Sequence, residues 1–366
     1  MIAPERLQVL ALMSYPVQAA STRFRLIQLL PELSAAGIDV SVRPFLDART
    51  WAGLYDRKAT ATTIVGLLDG AAKRLADLAR VRRSDVVLVL REAMIAGPPI
   101  VEILARAVGG CPVVLDLDDP TWVGYDSPTY GRLGRMIKWP GKTITLIDRA
   151  DLVTCGNEYV ARFVASRDRP SVLIPPVVDT DVFCPRSDRR NGAMPVVGWV
   201  GTHSTFPYLR ALEPALEAVG RTHRFVLRII GAGDARLCIP GLEVEHRSWD
   251  LRREPDDFAA IDIGLYPLPD DPWARGKSAL KSVQYMASGV PFVASPVGAA
   301  ADLGINGTTH MLATTAAEWI TALSTLLDDA SARARMADQG RSHALRHHNT
   351  GIAARLLGDA LKRVVP

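Results

Sequence analysis

The sequence predicts an α/β protein built from two doubly wound, Rossmann-like domains. Short apolar runs typical of buried strands alternate with segments of helical periodicity. Residues 7–13 form the first such run, a helix that Gly37 closes follows, and residues 38–42 form the next strand. A length of 366 residues suits two domains of ordinary size. A shift in composition at residues 186–192 marks the boundary, and the strand pattern begins again at Val196.

The composition narrows the class of protein. Hydrophobic residues make up 48% of the chain and charged residues 22%, which supports a full core rather than disorder. A net charge of +4 is too small to indicate nucleic-acid binding by itself. The four cysteines show no disulfide or metal spacing and indicate reduced thiols. We expect a cytoplasmic protein without a signal peptide or a membrane span.

The most specific pattern lies near the end of the second domain. Apolar residues recur at helical spacing over residues 279–287, and Gly289 suits the left-handed residue that ends a helix. Residues 291–295 are typical of a short strand buried on both faces. The loop to Gly298 therefore follows the carboxyl end of a parallel strand, where ligands bind in open α/β sheets.

Two lysines precede this strand. Lys277 and Lys281 are predicted to lie one turn apart on the helix and to face the same anion. The spacing of lysine, glycine, proline and valine over residues 277–298 resembles the nucleotide-sugar-binding core of group-one, family-four-like glycosyltransferases. Many members carry two glutamates where this chain has Gly276 and Gln284. An ordinary helix–strand unit without a ligand is the alternative interpretation.

The resemblance implies the GT-B fold, in which two Rossmann-like domains face a central cleft. It implies an acceptor-binding domain at residues 1–185 and a nucleotide-sugar-binding domain at residues 186–345. A C-terminal helix at residues 346–366 would pack back toward the first domain. Residues 175–183 resemble the proline-rich linker of this family.

The donor site is expected in the second domain. The strand that begins at Val196 runs into Gly-Thr-His-Ser-Thr, whose backbone N–H groups and hydroxyls suit a phosphate. Many relatives carry Arg at Thr202 and Lys at Pro207, so Lys277 and Lys281 are expected to supply the missing charge as catalytic groups. His203 is either a pyrophosphate contact or a loop histidine with partners of its own. The predicted donor-binding residues are Gly201, Thr202, His203, Ser204, Thr205, Gly231, Arg275, Gln284, Ser295, Gly298 and Asp302.

Acidic residues mark the expected acceptor side. Asp116, Asp118 and Asp119 follow a buried strand, where carboxylates can orient hydroxyls or act as a base. An acidic turn that caps the next segment is the alternative, and we predict no metal site. Arg23 and Arg25 stand at a helix start, where a bound anion would relieve their conflict with the helix dipole. The predicted catalytic residues here are Asp118 and Asp119, and the predicted acceptor contacts are Arg23, Arg25 and Asp116.

These patterns together predict a glycosyltransferase. It would move a sugar from a nucleoside diphosphate sugar to a glycan, a lipid-linked or a small-molecule acceptor, without a further cofactor. Residues 1–202 contain no histidine, which disfavours a histidine base and favours retention. Asp118 or Asp119 as a base leaves inversion open. A non-catalytic sugar-nucleotide or partner-binding relative is the alternative, because the usual glutamates are missing.

One basic segment has a residue pattern found in helices that lie on membrane surfaces. Arg132, Arg135, Lys138 and Lys142 occur at helix-like spacing with Trp139 among them. Such a segment would rest on the anionic inner face of a membrane. A solvated charged face above a core stripe is the more favoured interpretation, and the predicted location is cytoplasmic.

Overall fold

The structure is a computed structural model that describes residues 6–54, 60–124, 139, 141–186 and 194–365. It confirms the predicted α/β class, with two six-stranded parallel sheets. The chain divides into two compact units. The first unit comprises Met1–Pro176, Gly276–Ser278 and Thr350–Pro366, and the second comprises Val177–Arg275 and Ala279–Asn349.

The boundary between the units differs from the predicted boundary after residue 185. The segment that begins at Val177 packs with the second unit, because Arg341 donates hydrogen bonds to the carbonyl oxygens of Thr180 and Phe183 at 2.9 and 2.8 Å. At the other end, the last helix begins at Thr350 rather than at residue 346.

The first unit contains one sheet in the order β2-β1-β3-β4-β5-β6. Apolar runs such as Val-Val-Leu-Val-Leu in β3 are buried throughout, as expected for strands covered on both faces. Its strands are β1 (Leu7–Met13), β2 (Ile38–Pro44), β3 (Val86–Leu90), β4 (Val113–Leu117), β5 (Leu152–Cys155) and β6 (Ser171–Leu173).

Helices connect these strands, and local capping sets several of their ends. Asp47 and Asn157 accept hydrogen bonds from the backbone N–H groups of Thr50 and Val160, which fixes two helix starts. The helices are α1 (Ala20–Arg25), the 3-10 turn Ile27–Leu29, α2 (Leu30–Ala35), α3 (Ala48–Gly53), α4 (Thr60–Val81), α5 (Ile100–Gly109), α6 (Lys142–Arg149) and α7 (Glu158–Ala165).

The second unit repeats the architecture with the order β12-β11-β10-β7-β8-β9. Its strands are β7 (Val196–Val200), β8 (Val226–Ile230), β9 (Glu243–Arg247), β10 (Ile263–Tyr266), β11 (Phe292–Ala294) and β12 (Met311–Leu312). Its helices are α8 (Phe206–Arg210), α9 (Glu213–Gly220), α10 (Glu254–Ala259), α11 (Pro272–Arg275), α12 (Leu280–Ala287), α13 (Ala299–Asp302), α14 (Ala316–Asp328) and α15 (Ala330–His347).

The last helix, α16 (Thr350–Arg363), belongs to the first unit. Its first residue donates a hydrogen bond from the Thr350 hydroxyl to Glu32 at 2.6 Å, and Lys362 donates to the carbonyl oxygen of Ala36 at 3.1 Å. Both partners lie at α2, so this helix completes the first unit beside β2. Within the described ranges, no helix combines the length and the apolar character that a bilayer crossing requires.

Candidate functional site

The loop after β7 has a fixed backbone before any ligand binds. The Gly201 N–H donates to the carbonyl oxygen of Ile230 at 2.9 Å, which ties the loop to β8. The Thr202 N–H donates to the Thr205 hydroxyl at 3.1 Å, and the Thr202 and Ser204 hydroxyls lie 2.8 Å apart. The hydroxyls of Thr202, Ser204 and Thr205 lie together, but the N–H groups of Gly201, Thr202 and Thr205 already have partners, and contact of this loop with a phosphate stays a prediction.

Glycines bring the ends of β7 and β8 together. Gly231 has a φ of +86°, and a Cβ there would collide with the carbonyl oxygen of Gly201. A Cβ at Gly201 would in turn collide with the Trp199 ring. Because neither strand end carries a side chain, their backbones are closely apposed, as expected where a backbone must approach a phosphate. His203 is nearby, 3.7 Å from a Cβ built at Gly233.

A second glycine-dependent approach lies after β11. Gly298 has a φ of +55°, and a Cβ there would collide with the carbonyl oxygen of Arg275. The Arg275 guanidinium donates two hydrogen bonds to Asp270, at 2.6 and 3.0 Å, on the surface. The Ser295 hydroxyl accepts the Leu268 N–H at 3.0 Å. Gly298, Ser295 and Arg275 are thus within one loop region, and their contact with a donor stays a prediction.

The expectation that Lys277 and Lys281 share a helix is wrong. Ala279 has a φ of +56°, so the backbone leaves the helical path there and α12 begins only at Leu280. Lys281 occupies the first turn of α12, whereas Lys277 lies before the helix and groups with the first unit. Both side chains are half-buried. Their predicted contact with a diphosphate stays a prediction.

Gln284 is buried and stands at one of the two positions where many group-one glycosyltransferases carry a glutamate. It donates a hydrogen bond to the buried Glu254 carboxylate at 3.4 Å, so a carboxylate adjoins this position from α10. The helix around it is buried from Ser282 to Ala287, which explains the apolar residues that the sequence showed. Asp302 ends the short helix α13 and is exposed.

The first unit carries a buried ion pair at the carboxyl ends of its strands. Arg25 donates two hydrogen bonds to Asp116, at 3.0 and 2.6 Å, and a third to the carbonyl oxygen of Ile174 at 2.7 Å. Burial acts to lower the pKa of Arg25, but the Asp116 carboxylate raises it above its ordinary value. Arg25 and Asp116 therefore satisfy each other, an internal role that the sequence did not reveal. Their acceptor contact stays a prediction, as does that of Arg23.

A second pair lies beside the first. Arg91, at the end of β3, donates to both oxygens of Asp118, at 2.5 and 2.9 Å, and to Asp119 at 2.5 Å. Burial acts to lower the pKa of Arg91, but Asp118 and Asp119 raise it well above its ordinary value. Burial acts to raise the pKa of Asp118, but Arg91 lowers it below its ordinary value. Asp118 therefore stays ionised at neutral pH.

Arg91 is the residue of this site that sequence reasoning missed. It has a φ of +60°, a conformation that non-glycine residues seldom adopt outside functional or constrained positions. The signal was present in the sequence: Arg91 follows one buried strand directly, as Asp118 follows the next. Because parallel neighbours end at the same edge, these charges had to meet there.

The basic segment falls largely outside the described residues, including Arg132, Arg135 and Lys138. Lys142 is described and is buried: it donates to Glu92 and to the carbonyl oxygen of Met94, each at 2.8 Å. A lipid or solvent face for Lys142 is therefore wrong, because its charge is neutralised inside the first unit. Trp139 is half exposed.

Part of the chain is similar in sequence to a known protein family. Residues 194–329 match the family model described as glycosyl transferases group 1. No curated protein sequence matches the chain significantly.

Solved structures share the fold over nearly the whole chain. HepE of Anabaena, in a complex with UDP and glucose, is 15% identical, with a TM-score of 0.66 and coverage of 98% of this chain and 100% of that one. Sucrose-phosphate synthase of Thermosynechococcus elongatus is 16% identical, with a TM-score of 0.66 and coverage of 97% and 98%. A glycosyltransferase of Rickettsia africae is 12% identical, with a TM-score of 0.69 and coverage of 98% of both chains.

These likenesses and the two Rossmann-like sheets establish the GT-B fold. The matched residues 194–329 include the glycine-lined loops at the ends of β7, β8 and β11. The protein therefore has the GT-B fold, and its residues 194–329 are similar to the group 1 glycosyl transferases.

Proposed function

We propose that the second unit binds a nucleoside diphosphate hexose, and that a uridine diphosphate sugar is the first donor to test. The observation that carries the proposal is the side-chain-free approach of Gly201 and Gly231 at the ends of adjacent strands. HepE, which shares the fold, has been solved with UDP and with UDP-glucose, which supports a donor of this class.

The diphosphate would lie against the loop after β7. The hydroxyls of Thr202, Ser204 and Thr205 lie close together and can donate to phosphate oxygens. Lys281, in the first turn of α12, would add positive charge, and Lys277 is proposed for the same task from its own segment. Charge on the leaving diphosphate grows in the transition state, so such donors would stabilise it more than the bound donor sugar.

The acceptor would bind at the first unit, where Arg91, Asp118 and Asp119 form the polar edge. A carboxylate that is paired with arginine and has a lowered pKa orients hydroxyls well but accepts a proton poorly. This property supports transfer with retention, in which the leaving phosphate takes the acceptor proton. The acceptor class itself, whether glycan, lipid-linked or small molecule, is for experiment to identify.

Thermal shift with UDP-, GDP- and dTDP-sugars tests the donor. We expect one nucleotide class to raise the melting temperature and Thr202→Val to reduce that rise. The matched control is Thr321→Val, an exposed hydroxyl of α14 in the same unit that bonds only to the carbonyl oxygen of Ala317 in the described residues. A chain that binds none of these sugars would contradict the proposal. NMR of the anomer in the first product then distinguishes retention from inversion.

A further inference from the structure

Helix α4 buries charged residues against the first unit. The buried residues of this 22-residue helix recur at helical spacing and include Arg74 and Asp77, which are 0% and 1% exposed. Most surface helices bury an apolar stripe and expose polar residues. Helix α4 instead buries this charged pair together with the apolar Val81, while several of its large apolar residues stay exposed.

The orientation of α4 is held by contacts that only this face can make. Arg74 donates to Asp77 and to the carbonyl oxygens of Met13 and Ala93, at 2.8, 2.7 and 2.9 Å. A Cβ at Gly70 would lie 2.6 Å from the carbonyl oxygen of Phe45, so only a glycine fits at that point of contact. Rotating α4 to bury its apolar side would break these bonds and leave the Arg74 charge unpaired in the interior.

The outward face of α4 is apolar. Val65, Leu68 and Leu75 are each 67% exposed and Ile64 is 52% exposed. At about 100° per residue these positions, with exposed Ala72 and Ala79, fall within an arc of roughly 100°, the width of a buried stripe. Yet in the part of the chain that the structure describes, this stripe faces outward.

The neighbouring helix α5 also exposes apolar residues. Helix α5 packs beside α4, and its residues Ile100, Leu104 and Val108 are 54%, 37% and 36% exposed. Their spacing of four residues places them along one side of α5. Single exposed apolar residues need no explanation, but rows on two adjacent helices mark an interaction surface.

The charges beside the row are mostly positive. Lys73 and Arg80 lie on one flank of α4, and Arg82 and Arg83 follow its end as exposed residues. Asp69 is the one exposed acid in the described helix and pairs with Lys73 at 2.5 Å. A cationic border beside an apolar row is the pattern of helices that lie in the interface of an anionic bilayer.

We propose that the exposed face of α4 docks the protein on an anionic lipid surface, with Ile64, Val65, Leu68 and Leu75 entering the headgroup–acyl boundary. A second copy fits less well. An antiparallel twofold pairing through this face keeps each flank on its own side and so brings the Lys73 and Arg80 borders of both copies together, where like charges repel.

The test is flotation of the full chain with vesicles of phosphatidylcholine alone or mixed with phosphatidylglycerol. We expect binding to the anionic vesicles that falls as salt rises above about 0.1 M, because the Debye length shortens. The double variant Leu68→Ser/Leu75→Ser should bind at least about tenfold more weakly, since it loses two inserted side chains. Both positions are exposed, so folding should be unaffected.

The matched control is Ile305→Ser/Leu345→Ser, which removes two exposed apolar residues of the second unit and should bind as the wild type does. Equal binding to both vesicle types, or full binding by the Leu68→Ser/Leu75→Ser variant, would overturn the proposal. So would a dimer in light scattering that this variant dissociates, since the face would then be a self-interface. Lipid binding is measured without donor sugar, so this result is independent of the proposed reaction.

Discussion

The carboxyl edges of the two sheets have the same strand geometry and opposite chemistry. In the first unit, side-chain charges occupy the edge as the pairs Arg25–Asp116 and Arg91–Asp118. In the second unit, glycines and hydroxyls occupy it, and the close approach is between backbones at Gly201 and Gly231. One parallel fold therefore offers two kinds of recognition.

The two edges suit different kinds of ligand. Buried ion pairs contribute little net stability, because desolvation offsets their attraction, but breaking one partner is costly. Such pairs hold carboxylates at fixed positions and suit the orientation of neutral hydroxyls. A glycine-lined edge instead lets a charged ligand come close to the backbone and to the hydroxyls of the loop after β7.

The largest expected effect comes from filling the backbone approach of the second unit. In Gly231→Ala, the new methyl group would collide with the Gly201 carbonyl at a φ of +86°. The loop after β7 must then move, and we expect donor affinity to fall about 100-fold or more, roughly 2.7 kcal/mol. Titration calorimetry with the nucleotide identified by thermal shift measures this loss.

Gly233→Ala is the matched control for this substitution. It shares the left-handed backbone, with a φ of +65°, but the nearest atom to its Cβ is 3.7 Å away. It should therefore show only the strain of about 1–2 kcal/mol that any alanine incurs there, mainly in stability. Equal losses of affinity in the two variants would mean that strain, not the backbone approach, matters.

The next effect concerns the cations proposed for the leaving diphosphate. Lys281→Ala should lower the rate roughly 10–100-fold with a smaller loss of donor affinity, because the contact strengthens as charge develops. Lys277→Ala is expected to act similarly, and Lys→Arg at either position should restore only part of the rate. Steady-state transfer or donor hydrolysis measures both. Near-wild-type rates in both alanine variants would contradict the electrostatic role.

The third prediction contrasts the titratable groups of the two units. His310 is buried in the second unit, and its Nε2 has no hydrogen-bond partner among the residues that the structure describes. Burial, followed by nearby His343, lowers its pKa to about 4. Its folded pKa is below its unfolded value near 6.5, so the unfolded state binds more protons between these values. Stability should therefore fall by roughly 2–3 kcal/mol as the pH drops from about 6.5 to 4.

In the first unit, Asp118 also has a lowered pKa, but an acid of this kind loses its stabilising charge only below about pH 4. The second unit should thus lose hydrogen-exchange protection at a higher pH than the first. His310→Asn should flatten this dependence, whereas His223→Asn, at a histidine that bonds the surface residue Asp328, should not. Simultaneous loss in both units would argue against the contrast.

Much of the fold could be predicted from the sequence, because hydrophobic periodicity and the glycines and prolines that end helices are local signals. The two parallel sheets, the glycine at 289 and the loop at 298 all needed only neighbouring residues to recognise. The start of α12 did not, because the left-handed conformation of Ala279 has no signature in its residue type. Periodicity therefore placed Lys277 on a helix that begins three residues later.

The partners of charged residues were also beyond the sequence. Arg25 and Asp116 are separated by 91 positions, and only the strand order brings them together. Arginine and aspartate are common in ligand sites, but here the two side chains bind each other inside the first unit. The buried charges of α4 lack a sequence signature for a related reason: Arg and Asp usually face solvent, and only the fold supplies the buried partners of Arg74 and Asp77.

The smallest expected effect is at the charged edge of the first unit. Asp118→Asn removes one carboxylate charge but leaves Asp119 to pair with Arg91, so the site keeps its shape. We expect turnover to fall about tenfold, or roughly 1.4 kcal/mol, because the amide orients an acceptor hydroxyl less firmly. Donor affinity should remain unchanged. Asp151→Asn, which weakens the more exposed pair with Arg106 in the same unit, should alter neither quantity and controls for general loss of charge. Loss of nucleotide binding in Asp118→Asn would reverse the assignment of the two edges, since the charged edge would then serve the donor.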